Sequence, residues 1–463
     1  MNEEHLNLLA NHAVMARSNQ VLLERVLDNP QYFKRSDFDF KSIEYGPMKF
    51  QCLPTFFNRQ FLDRARLATA QVCGLIKSLP RRIFGLEAEK IADFYRIAPE
   101  TADFLLKGYN DRHVGAILGR GDFLPCAGGF KCLEFNLGSK LGGWEHHIWR
   151  TVYMNNREFV GFLGERGIAL RLYDTLTMMI EHMVNYTIQE FGNECRPLHC
   201  AVVMPEGDYG KDKNLQNQMI KQLYRMVLMK IDPSLTGELF LCPDISLEAR
   251  DDSLYFGNNR ISLVVELNHG MIPIDLYNAY VNGHVVMFNG PLSWIMSNKL
   301  NLALLSDPEY SDFFNSGEQE IIRRYIPWTR RTADKKTEYK GQTIDLYEFV
   351  YANKDLFVLK PADGVAGFGI SVGRVTEQSE WEQAVDKAFK EKKWAVQEYV
   401  EALNFLYQSR TNGFVPHRMV WGFFQFGDEY AGCLLRLMEA QGKGEVINSH
   451  QGAEVSVVFE IEE

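Results

Sequence analysis

Apolar and polar positions change period along this chain, and the changes divide it into regions. In residues 1–28 the apolar positions Leu6, Leu9, Ala13, Met15 and Leu22 recur at helical spacing until Asn29 and Pro30, which predicts a helix with a firm stop. A second helical run covers 56–79 and ends before Pro80, and two shorter helices are expected at 86–95 and 99–107. The pattern then turns to strand alternation at 120–124 and 130–136, around the turn residues Ala127, Gly128 and Gly129, which predicts a hairpin. A long helix is expected over 168–192. Beyond it, apolar runs at 199–204, 238–242, 261–266 and 284–288 alternate with helical stretches at 214–229 and 292–305. That alternation predicts an open, mostly parallel α/β sheet. From Leu356 onward the strands 356–361, 370–375, 394–400, 418–426, 430–437 and 455–461, with an amphipathic helix at 379–393, read as an α+β unit.

The division expected from these changes is a helical region at 1–110, a hairpin unit at 111–150, an α/β unit at 151–305, a charged linker or insertion at 306–349 and a final α+β unit at 350–463. At 463 residues the chain exceeds what one ordinary core holds, so several packed units are expected. Between Ser306 and Phe349 seven basic residues cluster (Arg323, Arg324, Arg330, Arg331, Lys335, Lys336, Lys340). A solvated surface explains them, and a basic lid near a phosphate site is the other reading.

Composition narrows the function classes. Hydrophobic residues at 46% and charged residues at 24% are ordinary for a globular protein. The net charge of -10, with no basic arm, argues against nucleic acid as a partner. The acidic start MNEEHLNLL is unlike a signal peptide, and no apolar run reaches membrane-spanning length, so a cytoplasmic protein without a membrane partner is expected. The eight scattered cysteines contain no CxxC pair, which fits a reducing compartment better than zinc or a disulfide framework. The adjacent His146 and His147 are read as structural, and the Pro205–Lys211 loop lacks Walker spacing.

Two stretches carry candidate chemistry. In Leu356–Gly373, a buried strand ends in Lys360 and Pro361, and Gly364, Gly367 and Gly369 follow before the next strand. A lysine at a strand end beside a glycine-rich turn can hold phosphate, because glycine lets backbone N–H groups approach an anion. A plain hairpin with a surface lysine is the other reading. In Ala116–Trp144, Glu134 and Asn136 share one strand face and Asp122 lies on the partner strand. Two carboxylates and an amide oxygen suit a hard cation such as Mg²⁺, although spacing alone is equally satisfied by a two-faced surface hairpin.

Taken together these residues resemble the ATP-grasp ligases. The order strand, Lys360-Pro361, glycine loop, strand, helix, strand 394–400 is similar to the nucleotide half of that fold. The resemblance implies ATP contacts at Lys360 and the glycine loop, and an adenine-binding hinge at Gln397, Glu398, Tyr399 and Val400. In ordinary members the Glu-x-Asn metal pair follows the hinge, whereas here Glu134-Phe135-Asn136 precedes Lys360 by more than two hundred residues. That order resembles the circularly permuted branch of glutathionylspermidine synthetase and related amino-acid ligases. Its Arg-x-Asp, hairpin, Glu-x-Asn pattern matches Arg120-Gly121-Asp122 and Glu134-Phe135-Asn136. Ser297-Asn298-Lys299 resembles a family element that supplies a second ATP-contacting lysine, Lys299. Arg436 falls where the family has an arginine facing the transferring phosphate, and Asn448 near a substrate-side Thr-Asn element.

The resemblance spans roughly 115–145 and 285–450. It implies a permuted ATP-grasp fold with a Rossmann-like pre-ATP-grasp sheet, the cofactors ATP and Mg²⁺, and metal ligands Asp122, Glu134 and Asn136. The implied reaction joins a small-molecule carboxylate to an amine through an acyl phosphate, with Arg120 and Arg436 facing the acceptor. No cysteine-histidine amidase domain of the bifunctional relatives is found, and 306–349 looks like an insertion, so the substrates stay open. A small-molecule kinase on the same scaffold and a nucleotide-binding regulator with a dead site are the alternatives, and a homodimer is compatible with the sequence.

Overall fold

The computed structural model describes residues 3–463 apart from 35, 37, 39–48, 140, 145–148, 172, 205–213, 244–245, 252, 268–271, 334, 365–366, 411–412 and 442–445. His146, His147 and the 205–211 loop thus lie outside the described residues.

The molecule is built around a seven-stranded sheet to which both ends of the chain contribute. Its main path runs Lys49–Phe50, Glu454–Ser456, Glu429–Glu439, Phe414–Phe426, Leu118–Cys126, Gly129–Asn136, and Phe405–Gln408 pairs with Phe414–Phe426. The hairpin expected near residue 127 is present. Leu118–Cys126 pairs antiparallel with Gly129–Asn136, and on its other side with Phe414–Phe426. Alternation sorts the side chains of the strand Phe414–Phe426. Trp421 and Phe423 pack on the long helix Arg59–Arg82 through Phe61, and Arg418 and Val420 face the opposite side.

On that opposite side lies a smaller antiparallel sheet ordered Thr329–Arg331, Trp394–Glu398, Phe357–Pro361, Ser371–Val372. The helix Gln378–Glu391 covers it, burying Trp381, Val385, Ala388 and Phe389. The expected α/β unit is an all-parallel sheet, Val286–Phe288, Leu263–Glu266, Cys200–Met204, Leu239–Pro243.

Several expected elements differ in detail. The first helix is two, Glu3–His12 and Arg17–Asp28. Pro80 sits inside the helix Arg59–Arg82 rather than after it. The helix expected at 292–305 is broken into Ser293–Met296 and Asn301–Ser306, so Ser297-Asn298-Lys299 forms the corner between two short helices. The basic segment 306–349 is folded rather than a loose surface. Thr329–Arg331 is an edge strand of the smaller sheet, and Arg330, only 1% exposed, donates to Ser306 O and Thr337 Oγ1. The neighbours of Arg330 in sequence do not reveal this, because its ion-pair partner Asp307 lies 23 residues earlier. The eight cysteines are free, and no helix among the described residues is long and apolar enough to cross a membrane.

Candidate functional site

The two sheets face one another across a cleft of about 870 Å³, its open mouth included. The acidic hairpin forms the floor and the lysine strand the roof, and they touch. Lys360 Nζ donates to Leu133 O at 3.1 Å, across 227 residues of sequence, and to Gln397 Oε1 at 2.7 Å. Gln397 is fixed in turn by donating to Thr329 Oγ1 at 3.1 Å. Burial pushes the Lys360 ammonium down to about 8, with Glu134 working against the shift and Lys299 adding to it. A lysine so placed keeps its charge near neutral pH and gains from an arriving anion.

On the floor, Asp122 stands directly opposite Glu134 on the partner strand. Two carboxylates in that register repel unless cations separate them. Arg120 supplies the first, donating from Nε to Asp122 Oδ1 at 2.8 Å and from Nη2 to Oδ2 at 3.2 Å, and from Nη1 to Gly142 O at 2.7 Å. Arg436 supplies the second, 2.8 Å from Asp122 Oδ2. Burial opposes ionisation of Asp122, yet these two guanidinium groups hold its carboxyl well below the usual carboxylate range. Space for the Arg120–Asp122 pair comes from Gly422, the cross-strand neighbour of Asp122. A Cβ at Gly422 would lie 2.9 Å from Arg120 Cδ and 3.1 Å from Asp122 Oδ1.

Glu134 faces Lys299 at 3.5 Å. Asn136 Nδ2 lies 3.4 Å from both Asp122 Oδ2 and Glu134 Oε1, so the three expected metal ligands converge. Among the described residues no group of three or more His, Cys, Asp and Glu side chains does so; this set has two carboxylates and one amide. Its oxygen donors suit a hard cation. Asp122 already carries two guanidinium partners and Asn136 turns its Nδ2 to the carboxylates, which leaves Glu134, the remaining lone pairs of Asp122 and, with its amide flipped, the oxygen of Asn136 to hold one.

The glycine loop roots at Lys299, whose backbone N–H donates to Ala362 O at 2.9 Å and whose Nζ donates to Gly364 O. Its tip reaches the C-terminal segment, where Gln451 Nε2 donates to Gly367 O at 3.2 Å. Gly367 adopts φ +75°, and a Cβ there would meet Val446 Cγ1 at 2.8 Å, so only glycine permits this approach.

At the other end the cleft is apolar, walled by Leu124, Val358, Val372, Val400, Ala402 and Val420. Of the expected hinge residues, Glu398 N–H donates to Trp328 O at 2.8 Å and Tyr399 N–H to Leu356 O at 2.7 Å. Glu398 Oε1 accepts from Trp328 N–H at 2.9 Å. Two of the hinge amides are therefore engaged within the protein. The Val400 N–H has no partner among the described residues.

Of the predicted residues, Asp122, Glu134, Lys360, Gly367, Gln397, Glu398, Tyr399, Val400, Arg436 and Asn448 line this one cleft. Arg120, Asn136 and Lys299 do not line it but contact Asp122 or Glu134, which do, Gly364 accepts from Lys299, and Gly369 (φ +73°) closes the turn against Pro361. Arg120, expected to face an acceptor, donates to Asp122. Arg418, absent from the residues the sequence singles out, also lines the cleft; strand alternation places it on one face with Val420 and Gly422. Around the hairpin the site sets four cations (Arg120, Arg436, Lys299, Lys360) against the two carboxylates Asp122 and Glu134; Arg418 and Glu398 lie farther along the cleft. Arg436 Nε is buried without a hydrogen-bond partner among the described residues. An unsatisfied buried donor costs about 1–3 kcal/mol, which an anionic ligand would recover.

No protein-family profile matches the sequence, and no curated protein matches it. Among solved structures the chain is similar to a glutathione synthetase-like effector from Globodera pallida in its apo form. Identity is 13%, the match covers 96% of this chain and 97% of that one, and the TM-score is 0.56. At this identity the likeness concerns the fold.

Proposed function

We propose that this protein is an ATP-dependent carboxylate–amine ligase of the circularly permuted ATP-grasp type. The observation that carries the reading is the bond from Lys360 to Leu133 O, which sets the phosphate-binding lysine directly over the acidic hairpin. A cleft with a cationic end and an apolar end accepts a nucleoside triphosphate in one direction, phosphates on Lys360 and base toward Val400. The glutathione synthetase-like fold supports the same reading.

Lys360, Lys299 and the amides of the glycine loop would bind the phosphates, and Glu134, Asn136 and Asp122 would hold Mg²⁺. When bound, that ion supplies neutralisation of the phosphate charge. Phosphoryl transfer to a substrate carboxylate gives an acyl phosphate and ADP; attack by an amine at the acyl carbon expels phosphate and leaves an amide. Arg436 donates from its unpartnered Nε toward the oxygen that gains charge. Arg120 acts through Asp122, as a positioning residue. Gly367, Val446 and Gln451 close the cleft against water, which would otherwise hydrolyse the acyl phosphate.

The test incubates the protein with Mg-ATP and pools of ¹⁸O-carboxylate-labelled amino acids and short peptides, together with polyamines. A ligase yields an amide mass and carries one ¹⁸O into released phosphate. A phosphorylated product without free phosphate would identify a kinase instead. Glu134→Gln is expected to lower turnover by about two to three orders of magnitude with an unchanged melting temperature, and unchanged turnover in this variant would remove the mechanism.

A further inference from the structure

One buried cation in the cleft has no place in the phosphate chemistry. Arg418 is 8% exposed and lines the same cavity. Its place along the floor follows from register. Gly422 pairs with Asp122 and Trp421 with Phe123, where the ladder ends, and Val420 is the next residue on the same face, away from the carboxylates. Arg418 is the step after that, roughly 13 Å along the strand from Gly422. At this level the hairpin strand ends, and Cys126 bridges Ala402 while Leu403 N–H donates to Pro125 O at 2.9 Å. Arg418 therefore sits beside the segment 399–402, which walls the apolar end.

A triphosphate held at Lys360 with its base against Val400 carries its ribose over the middle of this floor, between Val420 and Arg418. The groups a ribose offers there are hydroxyl oxygens, which accept hydrogen bonds, and a guanidinium is a pure donor. The carboxylate at this end, Glu398, accepts from the Trp328 N–H. We infer that Arg418 is the ribose-recognising residue of the site and sets its preference for ribonucleotides over deoxyribonucleotides. This rests on the nucleotide reading above.

Binding of ATP, 2′-deoxy-ATP and 3′-deoxy-ATP is measured by calorimetry on the wild type, Arg418→Gln and, as a control, Lys360→Met. A hydrogen bond to a charged donor is worth roughly tenfold or more in affinity. The wild type should thus bind at least one deoxy analogue about tenfold more weakly than ATP, and Arg418→Gln should bind all three within about twofold. Lys360→Met should weaken all three alike and keep their ratios. A wild type that binds ATP and both analogues equally would overturn the inference, whatever the variants do. So would an Arg418→Gln protein that keeps the wild-type ratios. A wild type that binds no adenine nucleotide would instead overturn the nucleotide reading beneath it.

Discussion

Lys360 is a buried cation whose placement works against the fold. Its ammonium is buried, and its pKa falls from an ordinary 10.5 to about 8 because desolvation outweighs the nearby carboxylates. Between about pH 8 and 10.5 the unfolded chain therefore binds more protons than the folded one, so stability rises with pH across that window. Below pH 8 the full penalty is present, roughly 3 kcal/mol. Lys360→Met is accordingly expected to be at least as stable as the wild type in denaturant melts at pH 7. Its advantage should shrink toward pH 10.5, and the same protein should lose ATP affinity. A variant that is several kcal/mol less stable at pH 7 would contradict this account of the site. Asp122 behaves in the opposite way. Removing it strands Arg120 and Arg436 in the interior, typically a loss of about 3–5 kcal/mol, so Asp122→Ala tests folding more than chemistry and Glu134→Gln is the cleaner probe.

At the scale of elements, the strand Phe414–Phe426 decides whether the acidic hairpin can be an active site at all. Gly422 is its critical position, because any side chain there enters the volume of Arg120 and Asp122. Gly422→Ala is expected to abolish ATP-dependent phosphate release, with a far-ultraviolet circular dichroism spectrum like that of the wild type; retained release would show that the Arg120–Asp122 pair tolerates displacement. Which elements were legible in the sequence follows from how local their signals are. The hairpin 120–136 and the strand at 356–361 announce themselves through alternation and glycines. Lys299 on the corner between two short helices does not, since its role depends on Glu134 and Gly364 from distant segments. Arg330 reads as surface from its neighbours in sequence alone, and Arg418 carries no local signal, since a single charged residue at the start of a strand is ordinary. The engagement of the Glu398 and Tyr399 amides by Trp328 and Leu356 is not legible, because those partners come from other segments.

For the whole molecule, the central sheet closes only when residues 118–136 meet residues 414–439. Pairings so distant in sequence slow folding, and they tie both ends of the chain into one cooperative unit. The N-terminal helix joins in through His12, whose ring bonds to Leu406 O at 3.0 Å. Burial pushes His12 and His113 down to about 4. The unfolded chain then binds more protons below its histidine value near 6.5, so stability is lost progressively from about pH 6.5 toward 4. The loss should appear as a falling melting temperature over that range, and a flat profile would contradict the neutral, buried placement of both rings. The acidic net charge of -10, by contrast, says nothing of the cleft, where cations outnumber carboxylates.

The central claim is that the acidic hairpin and the glycine-bordered lysine grip one triphosphate. Hydrogen exchange of the wild type with and without Mg-AMP-PNP tests it most directly and needs no knowledge of the acceptor. Peptides covering 118–136 and 357–372 should gain protection together, with half-saturation at the same nucleotide concentration. Protection confined to one of the two, or in neither, would contradict the account.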